Sequence, residues 1–127
     1  RFLALYVVSV LGGSAASYFF AAPAQASIGA SGGVFGLLGA YLVVAKRLRR
    51  DTTPVLVLLA INLAYGFIAV RIDWRAHLGG LIAGALVAAA MAYAPRERRL
   101  VVQVAGTVLA VLGALVLVAV RTGQLQA

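Results

Sequence analysis

Five apolar runs, broken by prolines and basic clusters, restrict this chain more than any other feature of its sequence. They lie at about residues 2–20, 31–46, 54–70, 76–94 and 100–120. A helix crossing a bilayer needs about 20 apolar residues, with a range of roughly 17 to 25. Four runs reach that length. The second is short, so its start at Ser31 is expected to lie below the membrane surface. Inside hydrocarbon every backbone N–H and C=O must find a partner within the protein, which for runs of this length means helices. The expected fold is all-α: a polytopic membrane helical bundle of five transmembrane helices, in one domain over residues 1–127.

The breaks have local causes. Pro23, followed by Ala24, Gln25 and Ser27, cannot continue the first helix. Asp51, Thr52 and Thr53 read as a cap region, with Pro54 in the first turn of the third helix. Pro95 stops the fourth, and Arg121, Thr122 and Gly123 are expected to stop the fifth.

The chain carries a net charge of +8, but only 11% of its residues are charged. The basic residues gather as Lys46, Arg47, Arg49 and Arg50, and as Arg96, Arg98 and Arg99, between apolar runs. No basic stripe is interleaved with aromatics, so nucleic acid is not an expected partner. The pattern is that of cytoplasmic loops of a membrane protein. The first helix then runs outward, the second inward, and so on to the fifth. Ser31 and His77 begin the second and fourth helices at the same, outer end. The chain has no cysteine, one histidine and three acidic residues. Disulfides and thiolate chemistry are excluded, and neither a metal site nor a cofactor is expected.

Chemistry therefore has few places to occur. In Gly29-Ala30-Ser31-Gly32-Gly33-Val34-Phe35-Gly36, a serine opens a helix where the first backbone N–H groups lack intrahelical partners. The positive end of the helix dipole is there too. Both suit an oxyanion formed during acyl transfer. A lone serine there is more often an ordinary N-cap. Likewise, Gly32 with Gly36, and Gly80 with Gly84, have an ordinary reading as packing seams between helices. His77 alters the balance. It stands in Ala76-His77-Leu78-Gly79-Gly80-Leu81-Ile82-Ala83-Gly84, and an ionisable residue in a membrane helix is a functional candidate by default. A neutral imidazole can take the proton of a serine hydroxyl. Small residues on both helices would let the two side chains meet.

Gly29-Ala30-Ser31-Gly32 resembles the G-x-S-G motif of rhomboid intramembrane serine proteases. Ala76-His77-Leu78-Gly79-Gly80, followed by Gly84, is similar to that family's A-H-x-x-G-x-x-x-G helix. Helix order and sidedness match as well, over all but the last helix and tail. The resemblance implies a rhomboid-like bundle and a serine endopeptidase that cuts transmembrane segments of membrane proteins. Ser31 would be the nucleophile and His77 the base, with no third acidic member. Gly29, Gly32, Gly80 and Gly84 would serve the oxyanion site and close packing, and Phe35 would pack on the histidine ring. Asp73, four residues before His77, is read as a loop residue paired with Arg71 or Arg75. Residues 21–30 are a candidate wall for a water-filled cavity. The expected surroundings are a bilayer and transmembrane substrates, in a bacterial plasma membrane with the site opening to the extracytoplasmic side.

The sequence also departs from the family pattern. Rhomboid cores place the serine on the fourth helix and the histidine on the sixth, so the first two helices are expected to be missing here. The fifth run would be the extra helix of the seven-helix form. The family's H-x-x-x-N pair on its second helix has no match, since Asn62 lies in the wrong helix. The oxyanion would then have backbone donors only, and the fragment alone is expected to be inactive. Two other readings are a rhomboid-like pseudoprotease that binds membrane proteins without cutting them, and a transporter or channel piece. The latter would usually need more polar groups along the helices at the bilayer midplane.

Overall fold

The computed structural model describes residues 1–21, 30–69 and 72–127. It contains helices α1 (Phe2–Phe20), α2 (Ala30–Arg47), α3 (Thr53–Ile68), α4 (Trp74–Tyr93) and α5 (Arg99–Gln126), with a 3₁₀ turn at Arg96–Arg98 before α5. There is no strand among the described residues. Three helical stretches are long and apolar enough to cross a membrane by length and composition: α1, α4 and Arg96–Gln126. The five expected helices are all present, and they differ in length and apolar character. The third run forms a helix of 16 residues, about 24 Å long, against a hydrocarbon thickness of about 30 Å. α2 reaches 18 residues, but Ser31, four glycines, Lys46 and Arg47 dilute its apolar character.

Helix ends follow local chemistry. Pro54 occupies the first turn of α3, where a missing N–H costs nothing, and the Asp51 carboxylate accepts from the Thr53 N–H at 2.9 Å. α2 ends with Arg49 in the left-handed region at φ 53°. There the Arg50 N–H reaches back to the Ala45 carbonyl at 2.9 Å, the wrap that commonly closes a helix C-terminus. α4 begins two residues earlier than the sequence suggests because Asp73 caps it. α5 continues six residues past Val120, correcting the expectation that Arg121, Thr122 and Gly123 end it. Tertiary contact holds those turns: the Thr122 hydroxyl lies 3.1 Å from the Tyr18 hydroxyl, and Arg121 donates to the Ala21 carbonyl at 3.4 Å.

The bundle is organised by α4, which packs most extensively on α2 and then on α1. Gly32 faces Gly80, Gly36 faces Gly84 and Gly39 faces Leu81, so α2 and α4 run side by side in the same direction. Gly13 faces both Gly32 and Ala76, and Ser9 faces Gly36, so α1 runs antiparallel to both. Ser9 is fully buried there, its hydroxyl returned to the Leu5 carbonyl of its own helix at 2.7 Å. Towards the end bearing Lys46 and Arg47, Leu5, Val8, Ala40, Val87 and Ala88 make an apolar core. α5 lies on α1 and α4, while α3 touches α2 and α4 only lightly. Gln103 of α5 is buried and donates to the Met91 carbonyl at 3.2 Å, tying α5 to the end of α4.

Candidate active site

Ser31 is the second residue of α2, half-buried at the end opposite Lys46 and Arg47. His77 lies in the first turn of α4 and is buried, 7% exposed. Since α2 and α4 run parallel, the two helix starts fall at the same level. There the Ser31 Oγ and His77 Nε2 are 3.0 Å apart, across 46 residues of sequence. That is hydrogen-bond distance for a hydroxyl and a base. For Nε2 to accept the serine proton, Nδ1 must carry the ring's other hydrogen. Nδ1 is buried and has no hydrogen-bond partner among the described residues.

The ring is held on its face by Phe35. The two rings stack with centroids 4.1 Å apart and planes at 8°. Phe35 stands four residues after Ser31, hence on the same face of α2, so one helix supplies both the hydroxyl and the surface that orients its partner. Such ring pairs contribute roughly 0.5–1.5 kcal/mol beyond area burial. Phe35→Ala is expected to lower turnover about tenfold, from loss of about that much orientation energy. Phe35→Tyr should retain most activity, and turnover numbers for the two variants in lipid check the difference.

The glycines explain how the helices come so close. A Cβ on Gly80 would meet the backbone of Gly32, and one on Gly84 the backbone of Gly36. Gly32 itself faces the Ala76 carbonyl, 3.0 Å from where a Cβ would sit. Gly29 lies outside the described residues, as do most of residues 21–30 and Arg71.

Asp73 has a role that the sequence reading missed. Its Oδ1 accepts from the N–H groups of Arg75 and Ala76 at 3.1 and 3.3 Å, capping α4. Its Oδ2 accepts from the Ser17 hydroxyl, pinning the end of α1 to the start of α4. The guanidinium of Arg75 lies over the Trp74 ring, 4.9 Å from its centroid. The cap was legible as an aspartate just before an apolar helix. The Ser17 partner was not, because nothing local links residues 56 apart. Gly66 of α3 was also missed. A Cβ there would lie 3.8 Å from His77 Nδ1, so α3 closes the ring's far side. Asn62, by contrast, donates to the Leu58 carbonyl of its own helix.

Asp73→Ala is expected to cost about 1 kcal/mol or somewhat more, the usual worth of an N-cap, read as a lower unfolding midpoint. Its effect on turnover should stay within about tenfold, far short of the roughly ten-thousand-fold loss when the acid of a true triad is neutralised. Rates of Asp73→Ala and Asp73→Asn in lipid test this.

A buried histidine on a serine hydroxyl, at one end of an apolar helical bundle with helices long enough to cross a membrane, defines a polytopic membrane protein with a Ser–His pair at hydrogen-bond distance. The chain belongs to the rhomboid family: the family model described as a Rhomboid domain matches residues 1–94. The match stops before α5. Among curated proteins, the chain is 44% identical over 96 residues to "Rhomboid protease GluP" of Bacillus subtilis (strain 168), covering 72% of this chain and 18% of that protein. It is 38% identical over 92 residues to "RHOMBOID-like protein 5" of Arabidopsis thaliana, covering 66% of this chain and 29% of that one. "RHOMBOID-like protein 6, mitochondrial" of the same plant is 37% identical over 87 residues, covering 63% and 28%. The chain thus spans less than a third of the length of these relatives. No solved structure is a significant match. Family membership and apolar helices make this an integral membrane protein.

Proposed function

We propose that this chain carries the catalytic pair of an intramembrane serine endopeptidase that cleaves transmembrane segments of membrane proteins. The observation that carries this reading is the 3.0 Å approach of Ser31 Oγ to His77 Nε2. Ser31 Oγ attacks the carbonyl carbon of the scissile peptide, and its proton passes to Nε2. The oxyanion is met by backbone N–H groups of the first turn of α2, which lack intrahelical partners. The C–N bond then breaks as His77 returns the proton to the departing amine. Water, deprotonated by His77, releases the acyl group and restores Ser31. Asp73, occupied in capping α4 and holding Ser17, stays outside the proton path.

The clusters Lys46–Arg50 and Arg96–Arg99 lie at the opposite end from the pair, and basic ends face the cytoplasm. The pair then opens to the extracytoplasmic side of a bacterial plasma membrane. The test uses the full-length protein, purified and reconstituted in lipid with a model transmembrane substrate and a fluorophosphonate. Cleavage together with covalent labelling of Ser31 supports the protease. Binding of the substrate with neither cleavage nor labelling would replace it with a pseudoprotease.

A further inference from the structure

On the face of the bundle turned away from α2, two apolar cavities of about 340 and 330 Å³ share Ala16, Phe20, Gly79 and Ile82 as lining. They therefore form one groove, running between α1 and α4 and continuing under α5. The α5 side is lined in part by Gly113, where a Cβ would meet nothing within 4 Å. The groove's volume is within the usual range of ligand cavities, roughly 300–1,000 Å³. Its walls offer almost no polar group until its end at the level of Ser31 and His77. There the lining includes Trp74 and Arg75, with the guanidinium resting over the indole. Arg121 stands one turn beyond Leu117, another lining residue, and so on the same face of α5. Its Nε is buried without a hydrogen-bond partner among the described residues, and its terminal nitrogen reaches the Ala21 carbonyl. Asp73, the acid nearest Arg75 in sequence, is engaged with Ser17 and the α4 backbone.

An apolar slot that ends in cations is complementary to an amphiphile with a long chain and an anionic head. We propose that the groove binds an anionic phospholipid of the leaflet nearest the Ser–His pair. One acyl chain lies between α1, α4 and α5, and the phosphate lies by Arg75 and Arg121. This site lies on the other side of α4 from Ser31 and does not depend on proteolysis.

Trp74 is the only tryptophan in the chain and lines the groove's mouth, so its fluorescence reports directly on the site. The full-length protein would be placed in phosphatidylcholine vesicles containing either brominated phosphatidylglycerol or brominated phosphatidylcholine at equal fraction; any further tryptophan would first be replaced by phenylalanine. Each guanidinium near a lipid phosphate is expected to enrich the anionic lipid about five-fold, seen as steeper quenching of Trp74 by brominated phosphatidylglycerol. Arg75→Gln and Arg121→Gln should each remove part of the preference, and Arg75→Lys should keep it. Gly113→Leu, whose Cβ has open space and whose side chain would occupy the groove, should abolish it with helix content intact. Equal quenching by the two lipids would overturn the proposal. A preference that survives Gly113→Leu would also overturn it, leaving general attraction of anionic lipid to the surface. Absence of quenching by either lipid would assign the groove to a protein segment or a second copy instead.

Discussion

Replacing Ser31 by alanine is expected to reduce substrate cleavage in lipid by about ten-thousand-fold or more, and replacing His77 by alanine to do the same. The reason is geometric. The hydroxyl is a poor nucleophile unless its proton leaves as the bond forms, and the group within reach is Nε2 at 3.0 Å. In the proposed reaction the two residues act as one unit, so the double variant should be no slower than either single one. Additive losses would mean separate roles. Single-turnover rates on a fluorogenic transmembrane substrate, with fluorophosphonate labelling in parallel, measure both. Neither substitution should unfold the bundle. Ser31 is at a helix start, where alanine fits, and loss of the His77 ring leaves the glycine seam untouched. Full labelling of Ser31→Ala would remove this residue from the mechanism.

Gly84→Ala is the substitution expected to damage the fold most for its size. A methyl at this position would overlap the carbonyl oxygen, carbon and Cα of Gly36. All three are backbone atoms, so no rotamer change relieves the collision and α2 must move. Alanine favours a helix over glycine by about 1 kcal/mol, which works in the opposite direction. Overpacking of a close seam costs about 1–3 kcal/mol and occasionally more, and a backbone-on-backbone clash belongs at the upper end. The net expectation is a loss of about 2 kcal/mol or more, from those two figures. It would appear as a lower unfolding midpoint in a detergent titration. Activity should fall further than stability, since a displacement of about 1 Å at a catalytic pair can cost roughly a hundredfold in rate. Gly36→Ala should behave alike, because its Cβ would meet Ser9 and, at 2.8 Å, the Gly80 carbonyl. Gly123→Ala, in α5 with open space around it, is the control and should leave stability unchanged or raise it by up to about 1 kcal/mol, the helix preference acting alone. An unchanged midpoint for Gly84→Ala would show that the α2–α4 seam is looser than described.

The readable part of this protein was written in hydropathy and in residue types that are rare here. Apolar runs forecast five helices, because backbone in hydrocarbon has few alternatives. Where chain-local rules sufficed, ends came out within a residue or two, as for α1 and for Pro54 at the start of α3. They failed for α5, which continues to Gln126 on contacts with Tyr18 and Ala21. For α3 the helix stops at Ile68, slightly short of the apolar run that announced it. One histidine in a nearly uncharged chain drew attention by itself, and Ser31 gained weight only through it.

The sequence alone determined that the chain is helical and membrane-embedded, which end of each helix is basic, and that Ser31 and His77 begin parallel helices. Those properties depend on side-chain polarity and on neighbours within a turn or two. Only the tertiary structure decided which atoms meet: Gly80 on Gly32, Phe35 flat on His77, Ser17 on Asp73, Gly66 behind Nδ1. Such pairings are set by the depth and rotation at which rigid helices pack, and a shift of one residue along α4 would turn His77 about 100° away from Ser31.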